Sequence, residues 1–324
     1  MRIVALAGGI GGARFLRGLQ AAAPAAEITV IGNTGDDITL FGLRVCPDLD
    51  TVMYTLGGGI NEAQGWGRTD ESFTVKEELL EYGVGPSWFG LGDRDFATHI
   101  VRTQMLAAGY PLSAVTEALC DRWQPGVRLI PMTDDQVETH VVIDELDTGR
   151  SDGAGWSGAK RRRAIHFQEW WVRLRASIPA ESIALVGAED AKPAPGVLEA
   201  IEAADVVLFP PSNPVVSIGT ILSVPGVRAA VAAKTVVGVS PIIGGAPVRG
   251  MADACLTAIG VETSAQAVAE LYGPELVNGW LVAEADSGVR VDGMEVRSRP
   301  LLMSDPEATA AIARAALDLA EELA

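Results

Sequence analysis

Apolar runs and helical repeats alternate along the start of the chain. The stretch RIVALAG is a continuous apolar run that ends at glycine, which is typical of a buried parallel strand. In ARFLRGLQAAA, the residues Phe15, Leu16 and Leu19 share one helical face. EITVIG then returns to a strand pattern before the polar residues NTGDD. The first forty residues therefore predict one strand–helix–strand unit of a parallel sheet.

The same alternation returns in the second half of the chain. SIALVG, DVVLF and TVVGV predict apolar strands with helical segments between them, and DPEATAAIARAALDLAEELA predicts a closing helix. Between the two halves, the pattern predicts a largely helical insertion at about 50–123 and a β-rich segment at about 127–175. We therefore expect residues 1–324 to form a single α/β domain. Its fold class is a Rossmann-like, doubly wound and mostly parallel sheet that carries both insertions.

The composition narrows the protein classes. Hydrophobic residues make up 48% of the 324 residues, which is enough for a sizeable core. No apolar run reaches the roughly 18 residues of a membrane span, and the first residues lack a signal-peptide pattern, so we expect a cytoplasmic protein without a membrane partner. The cysteines Cys46, Cys120 and Cys255 form no CxxC, and the histidines have no zinc-ligand spacing, which argues against a disulfide framework and a zinc site.

The net charge of −17 argues against nucleic acid as a partner, because such binding needs a basic face. The one basic run, KRRR at 160–163, follows a Gly/Ser-rich stretch and is interpreted as a solvated hairpin tip. An acidic protein that binds a phosphorylated ligand needs backbone N–H groups, a few arginines or a divalent metal.

A glycine-rich turn follows the first strand, in AGGIGGAR. A dinucleotide fingerprint would require a third glycine where Arg14 stands, and a P-loop would require Lys-Ser/Thr, so both named motifs fail. The glycines that remain, Gly8, Gly9, Gly11 and Gly12, can bring backbone N–H groups and a helix N-terminus against an anion. The alternative is a tight turn without a ligand.

Aspartates occur in pairs before and within the predicted insertion: Asp36 and Asp37, Asp48 and Asp50, and Asp93 and Asp95. The first pair follows the second strand, where a doubly wound sheet presents its ligands. Mg²⁺ takes one or two carboxylates together with waters and phosphate oxygens, so Asp36 and Asp37 are the predicted metal ligands. Helix capping is the alternative for single members such as Asp50 and Asp95.

Two later loops also resemble phosphate-binding loops. Ser212, Asn213 and Ser217 follow one apolar strand, and Ser240, Gly244, Gly245 and Arg249 follow the next. Hydroxyl, amide and backbone donors can bind a diphosphate without a basic patch. Ordinary Pro/Gly turn chemistry is the alternative for each loop alone. Three such loops at strand ends of one sheet favour a nucleotide site.

Several segments together resemble one enzyme family. AGGIGGARFLRGL, VCPDLDTVMYTLGGG, LGDRDFATHIVRTQML, HFQEWWV, PSNPVVSIG and SPIIGGAPVRGMA occur in the order found in the 2-phospho-L-lactate transferase (CofD-like) family. The similarity runs from residue 1 to the final helix. It is greatest to the actinobacterial branch, which acts as phosphoenolpyruvate transferase.

The resemblance implies a role in coenzyme F(420) biosynthesis. Enzymes of this family use Mg²⁺ and the deazaflavin Fo (7,8-didemethyl-8-hydroxy-5-deazariboflavin). They transfer a phosphoenolpyruvyl or 2-phospho-L-lactyl group to Fo from the corresponding diphospho-5′-guanosine ester and release GMP. The product is dehydro coenzyme F(420)-0 or F(420)-0. The chain itself does not distinguish the two donors, since they differ by one double bond. Relatives form dimers, so the resemblance also implies a homodimer.

The resemblance and the motifs together give the expected site residues. Asp50 matches the family's Fo-binding aspartate, with Asp93 beside Fo, and Arg94 is expected to neutralise the donor. The nucleotide would contact Gly9, Gly11, Gly12, Ser212, Asn213, Ser217, Ser240 and Gly244. An Asp50→Asn variant is expected to fold. A nucleotide-binding regulatory protein on the same scaffold is the alternative function, and an NAD-dependent dehydrogenase is disfavoured by the missing third glycine.

Overall fold

The computed structural model describes residues 1–146 and 160–324. The strands are β1 (Arg2–Ala7), β2 (Glu27–Gly32), β3 (Ile38–Leu40), β4 (Leu43–Val45), β5 (Arg128–Pro131), β6 (Glu138–Leu146), β7 (Lys160–His166), β8 (Ala180–Val186), β9 (Val206–Phe209), β10 (Val236–Val239), β11 (Ile242–Ile243), β12 (Ala246–Pro247), β13 (Gly279–Val282) and β14 (Glu295–Ser298). The α-helices are α1 (Gly9–Ala22), α2 (Pro47–Leu56), α3 (Thr74–Glu81), α4 (Asp93–Ala107), α5 (Leu112–Trp123), α6 (Val197–Ala203), α7 (Thr220–Ser223), α8 (Val227–Ala232), α9 (Ala252–Ala258), α10 (Ala265–Tyr272) and α11 (Pro306–Leu323).

The main sheet has seven strands in the order β14-β13-β10-β9-β1-β2-β5. Every neighbouring pair in it is parallel. The chain starts in the middle with β1, proceeds through β2 to β5 on one side, and later fills the other side from β9 outwards. Strand order therefore reverses between β1 and β9, which is where doubly wound folds bind their ligands.

Both faces of this sheet are covered, because its strands are apolar on both sides. In β1, Val4 and Leu6 belong to the core under α6, α8 and α10, whereas Ile3 and Ala5 belong to the core under α1, α2, α5 and α11. In α1, the predicted apolar face formed by Phe15, Leu16 and Leu19 is fully buried. Successive residues of β1 thus point into two different hydrophobic cores, one on each face of the sheet.

Two additional parts flank the carboxyl edge of the sheet. The helices α2 to α5 lie between β4 and β5, and the strands β7-β6-β8 form a separate antiparallel sheet. A small core joins this antiparallel sheet to the main domain, since Val141 and Trp170 pack with Val216 and Cys255.

The predicted fold class is confirmed, including the helical and β-rich insertions. Local details differ from the prediction. The helix predicted for ARFLRGLQAAA already starts at Gly9 as α1, within the glycine-rich segment, and SPIIGGAPVRG contains the β11–β12 hairpin. Residues 160–163 of the basic run lie in β7, paired with β6, whereas 151–159 lie outside the described residues. No helix in the described part is long and apolar enough to cross a membrane.

Candidate functional site

A cavity of about 790 Å³ opens at the carboxyl edge of the main sheet. Its walls come from the start of α1, the loop after β2, helices α2 and α4, and the loops after β9 and β10. The segment 64–67 and residues 301–304 complete its rim. The volume lies in the range of small-molecule and cofactor sites.

The floor of the cavity is the reversal point of the sheet. Gly8 directly follows β1 and contacts Ser212 from the loop after β9. Gly8 N donates to Ser212 Oγ at 3.3 Å, and Ser212 Oγ donates to the Gly8 carbonyl at 2.9 Å. These bonds fix the two loops side by side. The N-terminus of α1 therefore faces the cavity next to the polar loop that follows β9.

The glycines allow this close approach. A Cβ on Gly11 would overlap the Pro211 carbonyl oxygen, and a Cβ on Gly12 would lie 2.5 Å from Ser212 Oγ. Gly9 has φ +62°, a conformation that favours glycine. Gly9 and Gly11 line the cavity, whereas Gly12 is buried behind them. The helix start is thus free of side chains where an anion would approach its N–H groups.

The loop after β9 continues into a π-helical turn, Pro214–Gly219. Asn213 caps this turn, and its Oδ1 accepts from Val215 N at 2.9 Å and from Val216 N at 3.2 Å. Ser212, Asn213 and Ser217, which were predicted to contact a nucleotide, all line the cavity. Ser240 also lines it, although its hydroxyl donates to the carbonyl of Ile242.

Two aspartates lie opposite the helix start. Asp36 follows β2 and Asp48 lies in the first turn of α2, and both are buried and line the cavity. Burial and the negative charge of Asp48 raise the pKa of Asp36 well above its ordinary range. Asn33 Nδ2 donates to Asp48 Oδ2 at 2.8 Å, which fixes that carboxylate, whereas Asp36 Oδ1 has no hydrogen-bond partner among the described residues. A cation between the two carboxylates would relieve their repulsion.

This donor set fits Mg²⁺ better than a metal that needs a full protein cage. No group of three or more His, Cys, Asp or Glu side chains in the described ranges is arranged around a metal position. Mg²⁺ is held in nucleotide sites by one or two carboxylates, with phosphate oxygens and waters as the other ligands.

Asp37 lies elsewhere, although it was predicted to bind metal with Asp36. Its carboxylate is fully buried and pairs with the guanidinium of Arg44 at 3.1 Å, and it does not line the cavity. Burial raises the pKa of Asp37 to about 6, against the opposing effect of the Arg44 charge. Asp36 lies in a turn that the Asp37 N–H closes by donating to the Thr34 carbonyl at 3.2 Å, and Asp37 leads from this turn into β3, so the two carboxylates face different surroundings.

The second acidic part of the cavity is centred on Asp50. Asp50 Oδ2 accepts from Arg102 Nη1 at 3.1 Å, and its Oδ1 accepts from Arg102 Nη2. Both side chains are almost fully buried, and Asp50 lines the cavity. Burial lowers the pKa of Arg102, but the charge and hydrogen bonds of Asp50, together with Cys46 and Tyr54, outweigh this effect and raise it. The helix-capping alternative for Asp50 does not apply, because its carboxylate faces α4.

His99 and Asp95 extend this cluster along α4. Arg102 Nη1 lies 3.1 Å from His99 Nδ1, and since arginine only donates, Nδ1 is the acceptor and the ring proton is on Nε2. Burial lowers the pKa of His99 to about 4, so the ring is neutral. Burial and the Asp50 charge raise the pKa of Asp95 to about 7, and Tyr54 donates to its Oδ1 at 2.8 Å.

Aromatic side chains form the wall of the cavity on the insertion side. Phe167 and Trp171 are stacked with ring centroids 6.2 Å apart and planes inclined by 21°. Trp66 and Phe89 also line the cavity, and half of the Trp66 surface is exposed. Flat apolar rings of this kind can pack against a planar ring system.

Besides Gly12 and Asp37, three more predicted site residues lie outside the cavity lining. Asp93 accepts from Ser72 Oγ at 2.7 Å and from the backbone of Thr74 and Val75, and so caps α3. Arg94 is exposed on α4. Gly244 lies in the β11–β12 hairpin, where its N–H donates to Asp286. Arg14 and His99 line the cavity although no site role was predicted for them, whereas the cavity-lining Asp48, Asp95 and Arg249 were noted in the sequence only as members of an aspartate pair or a candidate phosphate loop.

The fold and the site define a doubly wound α/β protein with a cavity at the point where its strand order reverses. The family model described as 2-phospho-L-lactate transferase CofD matches residues 3–309. The chain therefore belongs to this family and is a transferase, which confirms the resemblance predicted from its motifs.

Relatives cover the chain from end to end. A phosphoenolpyruvate transferase of Thermobifida fusca is 74% identical over 100% of this chain and 99% of its own length. Proteins of the same name from Streptomyces coelicolor and Mycolicibacterium smegmatis are 70% and 57% identical, over 100% and 99% of this chain and 99% of each relative. The crystal structure of protein BH3568 from Bacillus halodurans has a TM-score of 0.61 at 18% identity, covering 98% of this chain and 99% of that one, and shows the fold alone.

Proposed function

We propose that this transferase moves the phosphoenolpyruvyl group from enolpyruvyl-diphospho-5′-guanosine to the terminal ribityl hydroxyl of Fo. The products are dehydro coenzyme F(420)-0 and GMP. The observation that carries the proposal is one cavity with a glycine-rich helix start and a polar loop at one end and aromatic and acidic side chains at the other. The name phosphoenolpyruvate transferase, carried by relatives up to 74% identical, favours the enolpyruvyl donor over the lactyl donor.

The donor would occupy the end formed by the start of α1 and the loop after β9. The N–H groups at Gly9 and Gly11 and the polar side chains of Ser212, Asn213 and Ser217 surround this end. Helix N-termini bind phosphate because their first N–H groups lack partners within the helix. The diphosphate of the donor therefore fits against a region that is otherwise acidic.

Asp36 and Asp48 would hold Mg²⁺ at this end. Both are buried, both face the cavity, and their mutual repulsion favours a cation between them. Bound there, Mg²⁺ would neutralise phosphate oxygens of the donor. This assignment replaces Asp37 of the sequence prediction by Asp48.

The acceptor would occupy the other end, with its ring against the aromatic wall and its ribityl chain towards Asp50. Arg102 keeps the Asp50 carboxylate in one orientation, and each oxygen retains a lone pair to accept the hydrogen bond of a hydroxyl. In this position Asp50 aims the hydroxyl oxygen at the phosphorus that bears the three-carbon acid.

The chain contributes mainly positioning and charge neutralisation, as expected for phosphoryl transfer. The ribityl oxygen forms the new bond to phosphorus, and the bond from that phosphorus to the bridging oxygen of GMP breaks. GMP leaves with the bridging oxygen, while the hydroxyl proton stays hydrogen-bonded to Asp50 until late in the reaction.

Mass spectrometry of the reaction products tests the proposal. The purified protein is incubated with Fo, Mg²⁺ and either the enolpyruvyl or the lactyl donor. We expect GMP and dehydro coenzyme F(420)-0 from the enolpyruvyl donor, at a higher kcat/KM than for the lactyl donor. Release of GMP without a phosphorylated Fo product would overturn the proposal. Asp50→Ala serves as the inactive variant that excludes a contaminating transferase.

We also propose that the protein is a homodimer. Apolar side chains remain exposed on the helical insertion, including Tyr82 at 83%, Val101 at 44% and Tyr110 at 54%. Surfaces of this type favour association of two copies. Light scattering at micromolar concentration should give twice the mass of one chain, and a monomeric mass would contradict the proposal.

A further inference from the structure

The cavity has few cationic side chains. Of the described residues that line it, Arg14 and Arg249 are the only arginines, and no lysine is among them. Four carboxylates face the same space, from Asp36, Asp48, Asp50 and Asp95. In a cavity this acidic, we expect the two arginines to contact the negatively charged groups of the ligand.

Arg14 pairs with no carboxylate in the described part of the chain. It lies one turn beyond Ile10 on α1, on the side that faces the cavity. The nearby carboxylate of Glu62 is engaged by Arg17, at 2.5 Å and 3.4 Å. Arg14 Nη2 reaches only the carbonyl oxygen of Glu62, at 3.5 Å. Most of its hydrogen-bonding capacity is therefore unused.

Arg249 reaches the same region from the opposite wall. It follows the β11–β12 hairpin, and its Nη1 lies 2.8 Å from the place that a Cβ of Gly65 would occupy. No described carboxylate lies within ion-pair distance of Arg249. Burial and the neighbouring Arg249 charge lower the pKa of Arg14. The fold thus holds two like charges near each other, and an anion between them would relieve the repulsion.

The donor ester has one anionic group, the carboxylate of the three-carbon acid, that none of the other proposed binding groups contacts. Its diphosphate is served by the start of α1, the loop after β9 and the proposed Mg²⁺ site. The carboxylate of the three-carbon acid has no donor among those groups. A guanidinium binds a carboxylate through two parallel hydrogen bonds, and two guanidiniums can enclose it. We propose that Arg14 and Arg249 bind this carboxylate and make the enzyme selective for acidic donor esters, an inference that rests on the proposed function.

Binding measurements without Fo test the inference independently of turnover. The ligands are enolpyruvyl-diphospho-5′-guanosine, the corresponding ester with a neutral ethyl group, and GDP, each with Mg²⁺ in a calorimeter. The parent protein should bind the enolpyruvyl ester more tightly than the ethyl ester. Arg14→Gln and Arg249→Gln should each weaken binding of the enolpyruvyl ester by roughly 10- to 100-fold, the range for lost charged hydrogen bonds, with little change for the other two ligands.

Arg290→Gln provides the matched control. It removes the same charge from an exposed arginine whose Nη1 contacts only the backbone carbonyls of Ser287 and Val289. Binding of all three ligands should stay at the parent value. Arg14→Lys should retain part of the preference for the acidic ester, because it keeps the charge without the two-point geometry.

Two results would overturn the inference. An equal loss of affinity for all three ligands in the glutamine variants would place the arginines on the diphosphate. Unchanged affinity for the enolpyruvyl ester would show that neither arginine contacts the donor. Failure of the proposed function would give a different result. The parent protein would bind the three ligands as expected but would form no phosphorylated Fo.

Discussion

Arg102 on α4 and Asp50 on α2 form a buried two-point ion pair that joins positions 52 residues apart. The pair lies at the wall of the cavity, with Asp50 open to it and Arg102 behind. Asp50 therefore has two roles: it is proposed to contact Fo, and it is the counter-charge of the buried Arg102 guanidinium. Substitutions here change folding stability as well as catalysis, and the two effects have to be measured separately.

Asp50→Asn should reduce stability as well as activity. The amide leaves the buried guanidinium without a counter-charge, which typically costs about 3–5 kcal/mol. The sequence alone predicted normal folding, because it did not reveal Arg102. Urea unfolding at pH 7.5 measures the loss, and turnover of Fo is measured at a temperature where the variant is folded.

The double variant Asp50→Asn/Arg102→Gln is the control for this ion pair. It removes both charges, so it should be less destabilised than the sum of the two single variants. Activity should remain low in all three. Additive losses of stability would show that the two side chains are not energetically coupled.

Asp36→Asn and Asp48→Asn should each raise the stability of the ligand-free protein at pH 8, because one of two repelling buried carboxylates is removed. The same variants should lose the rise in Tm that Mg²⁺ with GDP gives the parent. Differential scanning calorimetry with Mg²⁺ and with EDTA measures both effects. Chelation should also stop turnover in the parent, and added Mg²⁺ should restore it.

Asp37→Asn is the adjacent control. Its carboxylate pairs with Arg44 outside the cavity lining, so the variant should keep the Mg²⁺-dependent rise in Tm. If Asp37→Asn lost this rise while Asp36→Asn kept it, the sequence-based assignment of Asp37 to the metal would be correct.

Asp95 should make stability depend on pH. Its pKa of about 7 in the folded protein exceeds the ordinary value of 3.8, which applies to the unfolded chain. Between these values the folded protein holds a proton that the unfolded chain has released, so the free energy of unfolding decreases as pH rises from about 4 to about 7. Asp95→Asn should flatten this dependence and be more stable than the parent at pH 8. Denaturant titrations at pH 5, 6, 7 and 8 test this, and an unchanged slope would contradict it.

Gly11→Ala should destabilise the protein although alanine favours helices. The new Cβ would overlap the backbone carbonyl of Pro211, and overpacking of this kind costs about 1–3 kcal/mol. Gly288→Ala is the matched control, since its new Cβ would meet no atom of a non-adjacent residue within 4 Å and its change should stay within about 0.5 kcal/mol. Equal Tm values for the two variants would mean that the loop after β9 moves aside freely.

The sequence predicted the architecture because the signals for it are local. Apolar runs such as residues 3–7 and the helical repeat after them specify β1 and α1 without knowledge of distant residues. Which aspartate of a pair faces the cavity is different. Residues two apart on a helix are separated by about 200°, so Asp48 faces the glycines while Asp50 faces Arg102.

The same geometry explains why Asp93 lies outside the cavity. Asp93 turns back to cap α3, whereas Asp95 lines the cavity. The sequence contains both members of each pair but does not give the rotation of the helix about its axis. That rotation depends on packing against α2 and α5, and so it becomes visible only in three dimensions.

The hydrogen bonds between Gly8 and Ser212 set a condition on the synthesis of this protein. They join positions 204 residues apart, so the glycine turn, which is made first, has no opposing wall until β9 has left the ribosome. A nascent chain that stops before Ser212 carries Asp36 and Asp48 but only half of the proposed phosphate site. Guanine nucleotides would therefore stabilise the completed fold and give no help to the N-terminal half during translation.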